Sequence, residues 1–124
     1  AIAIPTFLGA RSRAQDSVAK SALRTALTSA NVIFTDSQSF DSADVDALAA
    51  SEGSLKFVKT DDTSYDPKTI SVYNSEKGWA GAARSDSGEC FFIRTDNTGQ
   101  VVFGKDDKNC TGGAAWNSAS DSKW

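Results

Sequence analysis

The first ten residues, Ala1 to Ala10, constrain this chain most. They are almost wholly apolar, and the sequence then turns abruptly to Arg11-Ser12-Arg13-Ala14-Gln15-Asp16. A folded domain seldom exposes its greasiest stretch at a free end, because apolar side chains gain free energy by leaving water. The stretch is also too short to cross a bilayer, which takes about 20 apolar residues. It reads as the trailing end of a longer hydrophobic helix whose front half precedes Ala1. The alternative is a buried first turn of an ordinary domain.

Residues 6–34 carry the pattern onward as one long helix. Phe7, Leu8, Ala14, Val18, Ala19, Ala22, Leu23, Ala26, Leu27, Ala30, Ile33 and Phe34 recur at spacings of three and four, the period of an amphipathic helix. Frequent Ala favours helix and lets another element approach closely. Asp16 stands four residues before Lys20, the favourable order for a helical ion pair. Pro5 and Gly9 are expected to kink or loosen the helix. The stripe widens from Val18, so the later half packs on its own domain and the first half needs another partner.

Past the helix, residues 35–53 form a loop with a short second helix, Ala43 to Ala50. Asp41 or Ser42 is its cap, and Gly53 ends it. Residues 54–104 read as strands: Leu55 to Lys59, Thr69 to Tyr73, Trp79 to Arg84, Cys90 to Thr95 and Gln100 to Phe103. Ser75-Glu76-Lys77-Gly78 and Asp96-Asn97-Thr98-Gly99 are turns, the second a hairpin signal. Short loops imply antiparallel pairing. The fold class is therefore α+β. A long N-terminal helix packs on the one apolar face of an antiparallel sheet of about four strands. Residues 105–124 read as loop and tail, with Asn109 to Ala115 loop-like and Asn117 to Trp124 fraying. Trp116 and Trp124 are read as exposed. The whole, residues 1–124, is one domain.

Charge is unevenly spread. Residues 1–34 carry Arg11, Arg13, Lys20 and Arg24 against Asp16 alone, whereas the rest holds nine basic and fifteen acidic residues. An acidic head argues against a nucleic-acid surface there, since phosphate binding needs clustered cations. The basic helix is either a solvated face or a set of charges for acidic partners, a membrane surface or neighbouring subunits.

Catalytic chemistry is not legible. The chain has no His, which excludes Ser-His-Asp and Cys-His arrangements, and it has no phosphate-cradling or dinucleotide motif. Asp61, Asp62 and Asp66, or Asp106 and Asp107, have the chemistry of calcium ligands but read better as solvated turns. No cofactor is expected. Asn109-Cys110-Thr111 matches a glycosylation acceptor pattern. Cys90 and Cys110 are the only cysteines. They are either a single internal disulfide, which would place the domain in an oxidising compartment, or two buried thiols.

Taken together, Ala1-Ile2-Ala3-Ile4-Pro5, then Phe7-Leu8 and a basic, Ala-rich helix, resemble the end of the N-terminal helix of type IV pilins and pseudopilins. Ser87 to Ile93 and Cys110-Thr111-Gly112 are similar to the cysteine-bracketed C-terminal loop of that family. The resemblance covers nearly the whole chain and implies a Cys90–Cys110 disulfide. It implies a structural, non-enzymatic subunit of an extracellular filament used in adhesion, motility or DNA uptake. Such a subunit is held in the inner membrane before assembly and handled by the pilus assembly machinery. Ile2, Ile4, Pro5, Phe7, Leu8, Arg11 and Arg13 would be its assembly residues. Lys20 and Arg24 would face acidic patches on neighbours. Without the upstream helix the chain is expected to be a soluble monomer. Pseudopilins of the major type often carry calcium where pilins carry the disulfide, so the cysteines favour a pilus over a type II secretion pseudopilin or minor pilin. A secreted non-enzymatic binding domain is the remaining reading.

Overall fold

Helix α1 spans Ala3–Ser37 without interruption. The computed structural model describes residues 3–106 and 108–124, and side chains from residue 7 onward. Pro5 lies within α1, and a kink where the helix continues upstream of it would fall at residues outside those described. The helix also outlasts its expected end at Phe34. Hydroxyl residues that would compete with the helix donate instead to carbonyls one turn back, as with Thr28 to Arg24 and Thr35 to Asn31. Gln38, at φ 60°, ends it, with its amide donating to the Phe34 carbonyl.

The next helix begins later than the sequence suggests. A single 3-10 turn occupies Phe40–Ser42, and α2 occupies Val45–Ser51. Asp44 is the cap, not Asp41 or Ser42, because its carboxylate reaches the Ala47 amide at 2.9 Å. Glu52, not Gly53, is the residue that closes α2.

Five strands follow, β1 (Lys56–Val58), β2 (Thr69–Ser75), β3 (Gly78–Arg84), β4 (Cys90–Asp96) and β5 (Val101–Asp106), ordered as they occur in the chain. The sheet is mixed, which corrects the expectation of about four antiparallel strands. β1 pairs in parallel with β2 and the other pairs are antiparallel. The short-loop argument holds from β2 onward. It fails for residues 59–68, a connection long enough to bring the chain back to the same end of the sheet.

Alternation along β3 and β4 divides the core in two. Trp79, Ala83, Phe91 and Ile93, with Ile70 and Val72 of β2, pack against Ala19, Leu23, Ala26 and Ala30 of α1. Ala80, Ala82, Cys90 and Phe92 point the other way, onto Cys110, Ala115 and Ala119. The sheet is thus covered on both faces. The second cover is α3 (Gly112–Ser118), a helix where the sequence reads as loop. Thr111 caps it, accepting from the Ala114 amide at 3.1 Å. Gly112 is required there, since a Cβ would run into the backbone of Val72 and Tyr73.

The tail does not fray. Asp121 exchanges two backbone hydrogen bonds of 2.8 Å with Phe103 on the outer edge of β5. Beyond that turn Trp124 packs into the core beneath α1, beside Phe91 and Phe103.

Candidate functional site

Of the residues singled out for assembly, those from Ile4 on belong to the part of α1 that outruns the sheet. Asp16 is where the helix meets the head: Ser87, in the β3–β4 turn, donates to its carboxylate at 2.6 Å. Ala19 is the first fully buried residue of α1. Residues 3–15 of α1 form a stalk that projects about 20 Å at 1.5 Å per residue. Ile2 lies outside the described residues. Ile4 and Pro5 fall within α1, and their side chains lie outside the description.

On the stalk, Phe7 is 66% exposed and Leu8 54%. Leu8 stands at helical spacing from Gln15, Ala19 and Ala22, so it prolongs the stripe that Ala19 and Ala22 bury against the sheet. The head has nothing at that height to cover it. Phe7 lies on the neighbouring face, in line with Arg11, Ala14 and Val18. Arg11 and Arg13 are exposed. A Cβ on Gly9 would lie 3.5 Å from the Arg13 guanidinium, which therefore folds back along its own helix. Among the described residues no helix is long and apolar enough to cross a membrane.

Lys20 and Arg24 also make contacts within the head. The Lys20 ammonium sits 5.0 Å from the centre of the Phe91 ring, and the Arg24 guanidinium 4.8 Å from that of Trp124. Both contacts lie at the surface of the head, Arg24 being exposed and Lys20 half-buried, where attraction to an aromatic face contributes about 0.5–1 kcal/mol. Asp16, paired with Lys20 by spacing, accepts instead from Ser87. The tryptophans expected at the surface are half-buried. Trp116 stacks on Tyr73 at 4.7 Å and lies under the Arg94 guanidinium at 4.2 Å. Trp124 donates its indole N–H to the Phe92 carbonyl at 2.7 Å.

At the base of the head, Cys90 and Cys110 form a disulfide, both fully buried. It joins the start of β4 to the residue before the α3 cap. The bridge closes a loop of 20 residues, which stabilises by about 3 kcal/mol in the chain-entropy description. Ser64, buried in the loop 59–68, binds to the same spot. Its amide donates to the Cys110 carbonyl at 2.8 Å. Its hydroxyl donates to the Thr69 carbonyl at 2.6 Å and accepts from the Arg84 amide at 3.1 Å.

The acidic residues weighed as calcium ligands accept from backbone amides and a nearby hydroxyl where their contacts are described. Asp66 accepts from the Lys68 amide and the Thr69 hydroxyl, and Asp106 from the Lys108 amide. Asp107 lies outside the described residues. Among those described, no three His, Cys, Asp or Glu side chains gather as a metal site would. Asp96 folds the β4–β5 hairpin by accepting from Thr98 and Gln100, and the Thr98 hydroxyl is the main reason its carboxyl is held below the ordinary value. Tyr65, 82% exposed on the loop 59–68, escaped the sequence reading, because nothing local distinguishes an exposed Tyr from a buried one. Set against protein-family models, curated proteins and solved structures, the chain matches none of them, so its functional reading rests on the stalk and on the residues that surround it.

Proposed function

We propose that this chain is the head and lower helix of a type IV pilin, a structural subunit that polymerises into an extracellular filament serving adhesion, motility or DNA uptake. One observation carries the reading. α1 is unbroken, and its domain-facing stripe continues past the head to an exposed Leu8, with an exposed Phe7 beside it. Covering one such side chain contributes about 1.5–3 kcal/mol, so a partner that covers both gains a few kcal/mol per subunit. A contact between unlike surfaces of identical copies does not close on itself and extends into a filament.

In this reading the apolar run upstream of Ala1 holds the subunit in the inner membrane, from which the assembly machinery draws it. The same run then packs in the filament core, with the head outside. The chain works as a building block and not as an enzyme. The Cys90–Cys110 bridge favours a pilus subunit over a type II secretion pseudopilin, whose corresponding loop is often held by calcium.

The test is the sequence encoded upstream of Ala1. The expected result is a further apolar run of about 15 residues, completing a membrane-length helix, with one Glu near its start and a short basic leader ending in Gly. A cleavable signal peptide or a polar start would refute the reading and favour a secreted binding domain.

A further inference from the structure

We propose that the head binds a small zwitterion, of the α-amino acid class, in a cleft between Arg94 and Asp96. The site goes beyond the pilin reading and does not depend on it. The cleft encloses about 230 Å³ and is lined by Arg94, Asp96, Gln100, Val102, Ala119 and Ser120. Phe92 faces α3, so Arg94 and Asp96, two and four residues further on, share that side of β4. Val102 stands opposite Arg94 on β5, and the segment leaving α3 supplies Ala119 and Ser120. The β3–β4 turn, where the stalk leaves the head, lies at the other end of β4 from Asp96, so the cleft is remote from the stalk.

Each charge is fixed in advance by its own neighbours. Nη1 of Arg94 donates to the Trp116 carbonyl at 2.9 Å, and the guanidinium lies 4.2 Å from the centre of the Trp116 ring. Oδ1 of Asp96 accepts from the Thr98 hydroxyl and from the Thr98 and Gln100 amides. Arg94 is the least of the influences that lower the Asp96 carboxyl, and the Thr98 hydroxyl is the greatest. Two opposite charges on one face of a strand are thus drawn to different partners instead of to each other. Among the described residues nothing hydrogen-bonds to the Nε–Nη2 edge of Arg94 or to Oδ2 of Asp96. Groups held in place before a ligand arrives lower the ordering cost of binding it.

The surroundings favour a ligand without net charge. Glu76 and Lys77 precede Gly78, the partner of Asp96 across β3 and β4, and Asp121 and Lys123 follow Ser120; all four are exposed. In each segment one cation offsets one anion. A lone anion in the cleft meets Asp96, and a lone cation meets Arg94. A molecule carrying both signs sets its carboxylate on the Nε–Nη2 edge, whose two parallel N–H groups match a carboxylate. Its ammonium then donates to Oδ2 of Asp96. The exposed Gln100 and Ser120 side chains at the rim add donors and acceptors, and Val102 and Ala119 offer an apolar surface to a small side chain.

The experiment titrates glycine and alanine into the isotope-labelled chain and follows the amide and Arg94 Nε resonances. Saturable shifts centred on Arg94, Asp96, Gln100 and Ser120 are expected. Acetate and methylammonium, each carrying half of the ligand, should bind more weakly by about tenfold or more, the usual effect of one charged hydrogen bond. Trimethylglycine should lose as much, because its cation has no N–H for Asp96. Arg94→Lys keeps a cation but removes the fork, and Asp96→Asn removes the anion; each should weaken glycine by about tenfold or more. Where Arg94→Lys also loosens Trp116, Asp96→Asn decides, since an Asn oxygen still accepts from Thr98 and Gln100. Acetate binding as tightly as glycine, or glycine binding undiminished by Asp96→Asn, would overturn the zwitterion site. Shifts that rise linearly without saturating would do the same. None of these outcomes touches the pilin reading, which stands or falls on the sequence upstream of Ala1.

Discussion

Ser87 donates its hydroxyl to Asp16 across 71 positions of sequence, at 2.6 Å. This bond fastens the β3–β4 turn to α1 at the point where the helix leaves the head. Ser87→Ala should destabilise the head by about 0.5–1.5 kcal/mol, the usual net value of one hydrogen bond. It should also speed amide exchange in the turn of α1 around Asp16. Urea unfolding followed with hydrogen exchange by residue tests both. Unchanged exchange there would mean that the bond does not set where the stalk begins.

Removing the last ring should loosen the front layer. Trp124 contacts Phe91 and Phe103, lies beneath Arg24 and donates to the Phe92 carbonyl. Trp124→Ala should cost about 2–4 kcal/mol, somewhat less than a fully buried aromatic because the ring is half-exposed. Thermal unfolding measures it. A loss no larger than that of an ordinary surface substitution would show that the tail contributes nothing to the fold.

Replacing both cysteines by Ala should lower stability by about 3 kcal/mol without unfolding the sheet, because Cys90 lies in a strand paired on both sides. Both sulfurs are fully buried, so the native bridge should resist reductant until denaturant opens the head. Thiol labelling against urea concentration checks this. Rapid labelling in native buffer would contradict it.

Acid should act on the β4–β5 hairpin through Asp96. Its carboxylate accepts from the Thr98 hydroxyl and from the Thr98 and Gln100 amides, and the hydroxyl bond is the main cause of its lowered pKa. A group whose pKa is depressed on folding stabilises the fold fully above its unfolded value, and that contribution fades as pH falls through the folded one. The Thr98 amide resonance should therefore titrate with a midpoint below that of an ordinary Asp, and Asp96→Asn should abolish the transition. A midpoint at or above the ordinary value would refute the assignment.

Long-range pairing separates what the sequence makes legible from what it hides. α1 is readable because its apolar residues keep a 3.6 period, and β3 to β5 because their turns are short. α3 is hidden by Gly112 and Gly113, poor helix formers kept for a backbone approach that no local pattern reveals. The parallel pairing of β1 with β2 depends on the path of residues 59–68, fixed by Ser64 against Arg84 and Cys110. The stalk residues Phe7, Leu8, Arg11 and Arg13 stand out as an apolar run meeting a basic one. The engagement of Lys20 and Arg24 does not, because their partner Trp124 lies at the far end of the chain.

A sheet with an open edge has to avoid the wrong kind of contact. An uncovered outer strand invites another sheet to grow onto it, and that route ends in aggregates. Asp121 occupies the hydrogen-bonding groups of Phe103 on the rim of β5, so an incoming strand finds that stretch already taken. The polar tail thus works as a selvedge: it finishes one border of the woven sheet, so that a strand arriving along that stretch finds no free edge to join.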